Sequence, residues 1–443
     1  MGGHGNGIVD RLRGMEAGKV LRGVMGAFAA AFLLAAFIAP DRADMLPGFV
    51  RILTGPAQLT RDWFLTELGG MSATMLNAAL VGAACCGMMF LPGAKVNGAT
   101  VLGYFLTLGF ALFGINALNM LPPVLGTLLY AKLTRQRFGS CVNAAMFSTG
   151  LAPLISEALF RYPDATVTHG ATLAGVLLAV ILGAIIGMMM PPLCGQSTAF
   201  HKGFNLYNAG PAAGFLGALL FAGMYKVRGL EAPAIGATLG EGAPLFVNAF
   251  YIATFGLCAV FGFLLCGGVR PYGKLLRDSG YRADFTAKYG AGPCVMNLGV
   301  YGLFTLAYYN IVGARFTGVT MGVVICMASA CCNGATPLNA LPVLLGYGAM
   351  GLLNRLGLVA LSVDSQALVV GLCFASGLAP VSGVYGPLAG VAAGIIHFCL
   401  VTNMPAIHGG FNLYNGGFTS GVAAFILVPA LERFSRKGPA DRR

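Results

Sequence analysis

Charged side chains are scarce in this sequence. Asp, Glu, Lys and Arg make up 9% of its 443 residues, whereas they make up about 25% of a typical soluble domain. Apolar residues make up 57%, and a soluble fold could not cover that much apolar surface with so few polar groups. The composition excludes an ordinary soluble enzyme and a disordered chain, and it predicts an all-α polytopic membrane protein.

Groups that carry out catalysis or bind metals are also rare. The sequence has no Gly-x-Ser-x-Gly, no His-Glu-x-x-His, no phosphate-binding loop and no paired carboxylates, so we expect no enzyme active site. The 12 cysteines show no Cys-x-x-Cys spacing, and most lie in apolar runs. No histidine has a carboxylate or second histidine at ligand spacing. We therefore expect neither a metal site nor a cofactor.

Basic residues exceed acidic ones, which gives a formal net charge of +12. They cluster in short loops beside apolar runs, a pattern typical of cytoplasmic loops and not of nucleic-acid surfaces. If the N-terminus is inside, 19 of the 27 Lys and Arg residues fall on that side. We therefore expect a bacterial inner-membrane protein with both termini in the cytoplasm, a lipid bilayer as partner and no nucleic acid.

The chain contains a tandem repeat. Residues 77–126 align without a gap to 297–346, and 13 of the 50 positions are identical. A second block repeats Phe147-Ser-Thr-Gly-Leu-Ala-Pro153 as Phe374-Ala-Ser-Gly-Leu-Ala-Pro380. The third repeats His201-Lys-Gly-Phe-Asn-Leu-Tyr-Asn208 as His408-Gly-Gly-Phe-Asn-Leu-Tyr-Asn415. Three blocks in one order indicate duplication.

Seven apolar segments per half predict an inverted second repeat, because an odd number of crossings reverses the orientation. In the first half they lie near 24–40, 71–91, 98–117, 118–131, 140–160, 171–191 and 203–224. In the second they lie near 247–268, 293–312, 317–335, 338–353, 366–383, 385–402 and 409–430. The predicted regions are a cytoplasmic tail at 1–23, a first transmembrane repeat at 24–225, an external linker at 226–246, an inverted repeat at 247–430 and a basic cytoplasmic tail at 431–443.

Two short segments carry proline early, at 118–131 and 338–353, and we expect broken or re-entrant helices there. Asn119 and Asn339 precede these prolines. They could contact a solute, or they could cap the helices that follow. Both roles can hold at once, since a capped helix start can face a cavity.

The repeated Gly-Phe-Asn-Leu-Tyr-Asn sequence is the main candidate for a solute site. On a helix, residues three apart share a face, so amides would lie on one side and aromatic rings on the next. That arrangement suits a narrow slot for a planar polar solute; the alternative is hydrogen bonding between helices by asparagine. The predicted substrate-binding residues are Asn119, Asn339, Phe204, Asn205, Tyr207, Asn208, Phe411, Asn412, Tyr414 and Asn415.

Three titratable residues are candidates for coupling transport to protons or ions. His201 and His408 precede the repeated motif and could act as proton-linked switches or as simple caps. Glu157 is the only carboxylate within a predicted span, which is by default a functional position. It lies toward the outer end of its segment, where its side chain could also reach water.

The order of these motifs resembles that of the bacterial urea transporters. The Met404-Pro-Ala-Ile-His-Gly-Gly-Phe411 stretch matches that family's Leu-Pro-x-x-Thr-x-Pro-Phe motif in place, with His408 for Thr and Gly410 for Pro. The chain also resembles uncharacterised bacterial membrane proteins that share the duplicated motif. The urea transporter resemblance implies two inverted halves, a homo-oligomer that is most often a trimer, and one path per subunit.

These observations predict a channel-like transporter that passes a small, neutral polar solute by facilitated diffusion between the repeats. The near-absence of charge in the spans favours a neutral solute. One alternative is a proton-coupled carrier for a small organic solute or anion that uses Glu157 or the His201 and His408 pair. Another is a membrane sensor or assembly subunit that transports nothing.

Overall fold

The computed structural model describes residues 13–59, 61–236 and 238–434. The described chain is built of helices, with one isolated bridge between Arg61 and Thr238. Six of its helices are long and apolar enough to cross a membrane, which agrees with the predicted polytopic membrane protein. Parts of both predicted tails, residues 1–12 and 435–443, lie outside the described residues, and so their placement stays a prediction.

The first half contains nine α-helices among the described residues. They are α1 (Ala17–Ile38), α2 (Met45–Thr54), α3 (Met71–Met88), α4 (Gly98–Phe110), α5 (Leu121–Leu133), α6 (Val142–Ser148), α7 (Pro153–Phe160), α8 (Leu173–Phe200) and α9 (Ala209–Phe221). The short 3₁₀ turn Thr149–Leu151 separates α6 from α7. These two helices meet at 48°, so they form a broken span or a re-entrant loop.

The second half contains ten described α-helices. They are α10 (Pro244–Cys266), α11 (Arg270–Leu276), α12 (Phe285–Tyr289), α13 (Ala291–Ile311), α14 (Gly318–Ala328), α15 (Pro337–Arg355), α16 (Gln366–Ala375), α17 (Ala379–Tyr385), α18 (Pro387–Val401) and α19 (Asn415–Phe434). The 3₁₀ turn Ser376–Leu378 separates α16 from α17. Each of the fourteen predicted apolar segments overlaps at least one of the observed helices.

The repeat in sequence is also a repeat of helix order and packing. Helix α1 packs on α3 as α10 packs on α13, and α5 packs on α8 as α15 packs on α18. Between the halves, equivalent helices meet each other: α4 packs on α14, and α9 packs on α19. Gly210 and Gly417, which are equivalent residues, touch at the second contact, because a Cβ on Gly210 would lie 2.3 Å from the Gly417 carbonyl carbon. The halves therefore meet through equivalent helices.

Helix α5 shows how the sequence separates an exposed apolar side from a packed side. Leu121, Leu125, Leu129 and Leu133 recur every fourth residue and are all exposed, so they form one apolar stripe along the helix. On the opposite side a Cβ on Gly126 would lie 2.2 Å from the backbone of α8. The glycine lets the two backbones approach closely, as is common in membrane helix pairs.

The two segments predicted to be re-entrant differ in length. Helix α5 has 13 residues, so its rise of about 20 Å is less than the roughly 30 Å hydrocarbon core of a bilayer. Helix α15 has 19 residues and includes Pro342, so it comes much closer to that thickness. The predicted shortness therefore holds for the first of the pair and not for the second.

Candidate functional site

In each half a short 3₁₀ turn interrupts a helix just before a proline; the first helix bends there by 48°, whereas Gln366–Tyr385 remains one continuous span. In the first half the break lies at Gly150, before Pro153, and in the second it lies at Gly377, before Pro380. Proline has no backbone N–H and cannot continue the hydrogen bonding of the preceding turn. Both breaks are fully buried, so the freed carbonyl groups need partners inside the protein.

A non-helical segment from the opposite half supplies those partners. The N–H of Leu413 donates to the Gly150 carbonyl at 3.0 Å, and the N–H of Leu206 donates to the Gly377 carbonyl at 2.9 Å. We name residues 204–208 the first crossing segment and 411–415 the second crossing segment. Each one passes over the broken helix of the other half, so the two halves are joined by the same contact made twice.

A tyrosine ring lies against each broken helix at its glycine. A Cβ on Gly150 would lie 2.0 Å from the Tyr414 ring, and a Cβ on Gly377 would lie 2.5 Å from the Tyr207 ring. Real Cβ atoms do not approach so closely, so a side chain at either position would displace a ring. Glycine is required at both breaks because it lets these rings pack on the backbone.

The prediction that these motifs are helical, with amides on one face and rings on the next, is wrong. Neither segment is helical from its phenylalanine to its tyrosine; both run through turns or bends, and the helices begin at Ala209 and Asn415. In the first, the side chain of Asn205 accepts a hydrogen bond from the Tyr207 N–H at 3.0 Å. Asn412 makes the same 3.0 Å bond with the Tyr414 N–H. Such local bonds from asparagine compete with helix formation.

Residues in the left-handed region also exclude a helix just before each segment. Lys202 and Gly203 have φ values of 54° and 87°, and Gly409 and Gly410 have values of 60° and 75°. This conformation reverses the chain after α8 and after α18. The segments therefore enter the protein as non-helical backbone.

The first crossing segment uses its polar side chains in bonds to the protein. Asn205 Nδ2 donates to the Gly417 carbonyl at 2.9 Å. The hydroxyl groups of Tyr207 and Ser376 lie 3.0 Å apart. Asn208 Nδ2 donates to the Cys194 carbonyl, also at 2.9 Å. These groups therefore have a structural role in the first half.

The second crossing segment has the same residue types but lacks these bonds. Asn412 Nδ2, the Tyr414 hydroxyl and Asn415 Oδ1 are buried without a hydrogen-bond partner among the described residues. The exposed fractions of the three side chains are 1%, 0% and 3%. Buried polar atoms in native proteins are nearly always paired, so unpaired ones call for an explanation. The repeated motif is thus symmetric in backbone and asymmetric in side-chain bonding.

The two candidate histidines are held differently. His201 Nδ1 accepts hydrogen bonds from the backbone N–H groups of Gly203 and Asn205, each at 3.2 Å. An accepting Nδ1 requires a neutral ring with its proton on Nε2, which lies 2.9 Å from Asn208 Oδ1. His408 Nε2 instead lies 3.0 Å from the Gly214 carbonyl in α9, across the interface between the halves.

Glu157 does not reach toward water, so the expectation that its side chain could do so is wrong. It is fully buried, and its carboxylate forms an ion pair with Arg161 at 2.7 Å. It also accepts a hydrogen bond from the Tyr225 hydroxyl. Arg161 lies on the next turn and is almost as buried, so the charge is neutralised inside the protein and not at the surface.

This ion pair is connected to the second crossing segment through one residue. Arg161 donates to Gln58 Oε1 at 3.5 Å, and Gln58 Nε2 donates to the Gly409 carbonyl at 2.8 Å. Gly409 lies directly after His408. The alignment of the broken helices places Val384 at the position equivalent to Glu157, so the charged network exists on one side of the repeat only.

Asn119 holds the turn before α5 without capping that helix, whereas Asn339 takes part in the N-terminal cap of α15. The Asn119 side chain accepts the Asn116 N–H at 2.8 Å and donates to the Gly114 carbonyl at 3.0 Å. Asn339 completes a capping box with Thr336, whose N–H it accepts at 2.8 Å, and it donates to the Gly334 carbonyl at 2.8 Å. These bonds occupy both amides in holding the turn before α5 and the start of α15. Their role in solute binding stays a prediction.

Sequence reasoning missed two pairs of residues that connect the structure. Asp62 accepts the N–H of Gly318, and Asp284 accepts the N–H of Gly98. Asn77 donates to two carbonyl groups after α4, and Asn297 donates to the two equivalent carbonyl groups after α14, all at 2.7–2.8 Å. Asn77 and Asn297 are identical in the aligned repeat, which was a usable signal. The aspartates lie outside the aligned blocks.

Five surface cavities in the described part of the chain have linings without residues from either crossing segment. The largest has a volume of about 730 Å³ and lies beside α11 and α12. Tyr281 lines it, and the Tyr281 ring lies 4.6 Å from that of Phe204. The crossing itself is filled with side chains: the Tyr207 and Phe374 rings lie 4.9 Å apart, and those of Tyr414 and Phe110 lie 5.1 Å apart.

The fold and the crossing define a helical membrane protein whose two structurally similar halves are joined through broken helices. The chain belongs to the DUF1576 family, which is described as a protein of unknown function; the family model matches residues 42–226 and 268–433. The two matched segments begin just after α1 and just after α10. No curated protein matches the chain. No solved structure matches it either.

Proposed function

We propose that this protein is a transporter that carries a small, uncharged polar solute across the membrane, along a path between two halves of inverted orientation. The observation that carries this proposal is the double crossing, in which Leu413 bonds to the break at Gly150 and Leu206 bonds to the break at Gly377. Non-helical backbone at membrane depth occurs where protein or a water-filled cavity surrounds it. Transporters use such interrupted helices at the interface of repeats to hold substrates.

The packing of the crossing favours a carrier over an open channel. The rings of Tyr207, Phe374, Tyr414 and Phe110 fill the region between the broken helices. A permanently open channel needs a continuous path there. A carrier instead opens the site to one side at a time by moving its halves against each other, and a closed, packed crossing is compatible with one stage of that cycle.

The charges inside the protein favour a neutral solute. Glu157 is paired with Arg161, so the carboxylate predicted to lie within a span already has its counter-charge. A charged solute would need a compensating partner in the low-dielectric interior. We propose that Glu157 and Arg161 couple transport to protons or ions. Gln58 connects this ion pair to the backbone before the second crossing segment. Urea as the solute and assembly as a trimer stay predictions from resemblance.

The proposal is tested by uptake into liposomes that contain the purified protein. Urea, acetamide and glycerol are supplied as uncharged probes, and initial rates are followed by light scattering over a range of concentrations. A carrier gives a rate that saturates, whereas a channel gives a rate proportional to concentration. The variant Gly150→Ala, which pushes a methyl group into the Tyr414 ring, is expected to lose uptake.

Gly256→Ala is the matched control, because Gly256 lies in α10 with nothing within 4 Å of an added Cβ. It is expected to keep the wild-type rate. The proposal fails if the wild-type protein moves none of the probes faster than empty liposomes, or if Gly150→Ala folds normally and transports as well as the control.

A further inference from the structure

We propose that the solute is bound by only one of the two crossing segments, the second, through Asn412, Tyr414 and Asn415. We infer further that it is a neutral molecule with both a hydrogen-bond acceptor and a donor, such as an amide or a polyol. This inference rests on the proposed transport function. It assigns the first crossing segment a structural role, although its sequence is the same.

The unpaired atoms are the first argument. Asn412 Nδ2, the Tyr414 hydroxyl and Asn415 Oδ1 belong to three of four successive residues, and all three are buried without a partner among the described residues. Leaving a buried donor or acceptor unpaired costs free energy that nothing else in the segment recovers. A bound solute would supply the missing partners. Sites that break such a rule in native proteins are often functional ones.

The repeat provides an internal control for this argument. The first crossing segment has the same residues and the same Asn-to-Tyr backbone bond. There Asn205 Nδ2 bonds to Gly417, the Tyr207 hydroxyl bonds to Ser376, and Asn208 Oδ1 bonds to Thr198 and His201. The sequence of the motif therefore does not prevent these side chains from finding partners. The missing hydrogen-bond partners of Asn412, Tyr414 and Asn415 therefore reflect the surroundings of the second segment.

The surroundings differ at a glycine in α9. A Cβ built on Gly217 would lie 3.0 Å from Leu151, 3.5 Å from the His408 ring and 3.6 Å from the Asn412 Cβ. The equivalent residue beside the first crossing segment is Ala424, which carries that methyl group. The side chains of Leu151, His408 and Asn412 therefore meet α9 at a glycine, whereas the other half has a methyl group at the equivalent position.

The unpaired atoms also specify the chemistry of the solute. Asn412 Oδ1 already accepts the Tyr414 N–H, so its free Nδ2 is a donor that needs an acceptor. Asn415 Oδ1 is an acceptor that needs a donor, and the Tyr414 hydroxyl can serve either way. None of these groups is charged. An amide or a molecule with several hydroxyl groups meets these requirements, whereas a simple ion does not.

Two conservative variants test the assignment. Tyr207→Phe removes a hydroxyl that is bonded to Ser376, so it is expected to lower the melting temperature of the full-length protein in detergent. Tyr414→Phe removes a hydroxyl without a partner, so it is expected to leave the melting temperature unchanged or to raise it. In liposomes, Tyr414→Phe is expected to lower uptake of acetamide or glycerol by about tenfold, which corresponds to one lost hydrogen bond. Tyr207→Phe, once folded, is expected to transport normally.

The inference is overturned if Tyr414→Phe lowers the melting temperature as much as Tyr207→Phe, because a protein group or a buried water would then already satisfy the hydroxyl. It is also overturned if Tyr414→Phe transports at the wild-type rate. Failure of the proposed transport is a different result, in which wild-type protein moves no probe. In that case the binding site is tested by the melting temperatures with and without acetamide or glycerol. A probe that stabilises the wild type but not Tyr414→Phe supports the site. An equal shift in melting temperature for both proteins refutes it.

Discussion

The carboxylate of Asp62 accepts a hydrogen bond at 2.9 Å from the backbone N–H of Gly318, the first residue of α14 in the other half of the chain. The reverse contact is made by Asp284, which accepts the N–H of Gly98 at the start of α4 at 3.2 Å. Negative side chains stabilise helix N-termini because the first N–H groups lack partners within the helix. Each half therefore stabilises the start of the other half's central helix.

Asp62→Ala is expected to destabilise the protein. Asp62 also accepts the N–H groups of Phe64 and Gly240, so the variant leaves three backbone donors without an acceptor. The expected loss in free energy of unfolding is roughly 1–3 kcal/mol, the usual cost of leaving buried donors unpaired. The measurement is the midpoint of thermal unfolding in detergent.

Asp62→Asn separates the hydrogen bonds from the charge. Its amide keeps one oxygen as an acceptor for Phe64 and Gly318, so it is expected to lose less stability than Asp62→Ala. Burial raises the pKa of the Asp62 carboxyl even though Gly240, Phe64 and Gly318 donate to it, which indicates that the charged form carries a cost that the amide avoids. Equal melting temperatures for Asp62→Ala and the wild type would contradict the capping role.

Gly210→Ala is expected to weaken the contact between α9 and α19. An added Cβ would lie 2.3 Å from the Gly417 carbonyl carbon, so the helices would have to separate at their closest point. Overpacking of this kind typically costs about 1–3 kcal/mol. Gly195→Ala is the control, since an added Cβ there meets nothing within 4 Å. In a helix interior that change is expected to be neutral or stabilising by about 0.5–1 kcal/mol; the same loss of stability in both variants would contradict the contact.

The ion pair of Glu157 and Arg161 is expected to show strong coupling in a double-mutant cycle. Removing one partner of a buried pair leaves the other charge uncompensated and typically costs about 3–5 kcal/mol. Glu157→Gln and Arg161→Met are therefore each expected to destabilise the protein, and the double variant less than the sum of the two. Additive losses would mean that the two charges do not stabilise each other.

Asp278 is expected to make stability depend on acidic pH. Burial raises the pKa of this carboxyl, but hydrogen bonds from Lys288, Tyr289 and Gly280 and the charge of Lys288 outweigh burial and leave the pKa below its ordinary value of 3.8. Lys288 Nζ lies 2.5 Å from the carboxylate. Because the folded-state pKa is lowered, the stabilisation is present above pH 3.8 and is lost as the pH falls through the folded-state value.

The measurement for Asp278 is the melting temperature from neutral to acidic pH. Asp278→Asn is expected to melt below the wild type at neutral pH, and the difference is expected to close as the pH falls below about 3.8. Lys288→Met removes the same pair from the other side and is expected to give a difference that closes in the same range. A difference in melting temperature that stays constant at all pH values would show that the ionisation of Asp278 does not cause it.

The sequence predicts the helices well because their signal is local. Apolar runs predict fourteen segments, each of which overlaps an observed helix, but the sequence did not predict the interruptions at Gly150 and Gly377. The Phe-Asn-Leu-Tyr segments are not predicted correctly in this way. Their apolar and aromatic composition suits a helix, but the side chains of Asn205 and Asn412 bond to local backbone instead. The N–H groups of Leu206 and Leu413 donate to carbonyl groups of the opposite half.

The candidate site depends on partners that are far away in the chain. The sequence left open whether Glu157 reaches water, because it does not show that α7 bends by 48° from α6. In the structure Gln58 and Tyr225 contact its ion pair. The bond between Asp62 and Gly318 spans 256 residues, and no spacing rule anticipates it. Likewise, the difference between Tyr207 and Tyr414 follows from neighbours and not from the motif, which is the same in both places.

The exchanged aspartates also bear on how such a chain could have arisen. A protein of half this length would carry the carboxylate for a helix that it did not contain, and its own central helix would begin without one. Two copies that face each other would complete both helices, as the two halves do here. Duplication and fusion would then turn an obligate pair into one polypeptide, and would free the copies of Tyr and Asn in each half to diverge in the partners they meet.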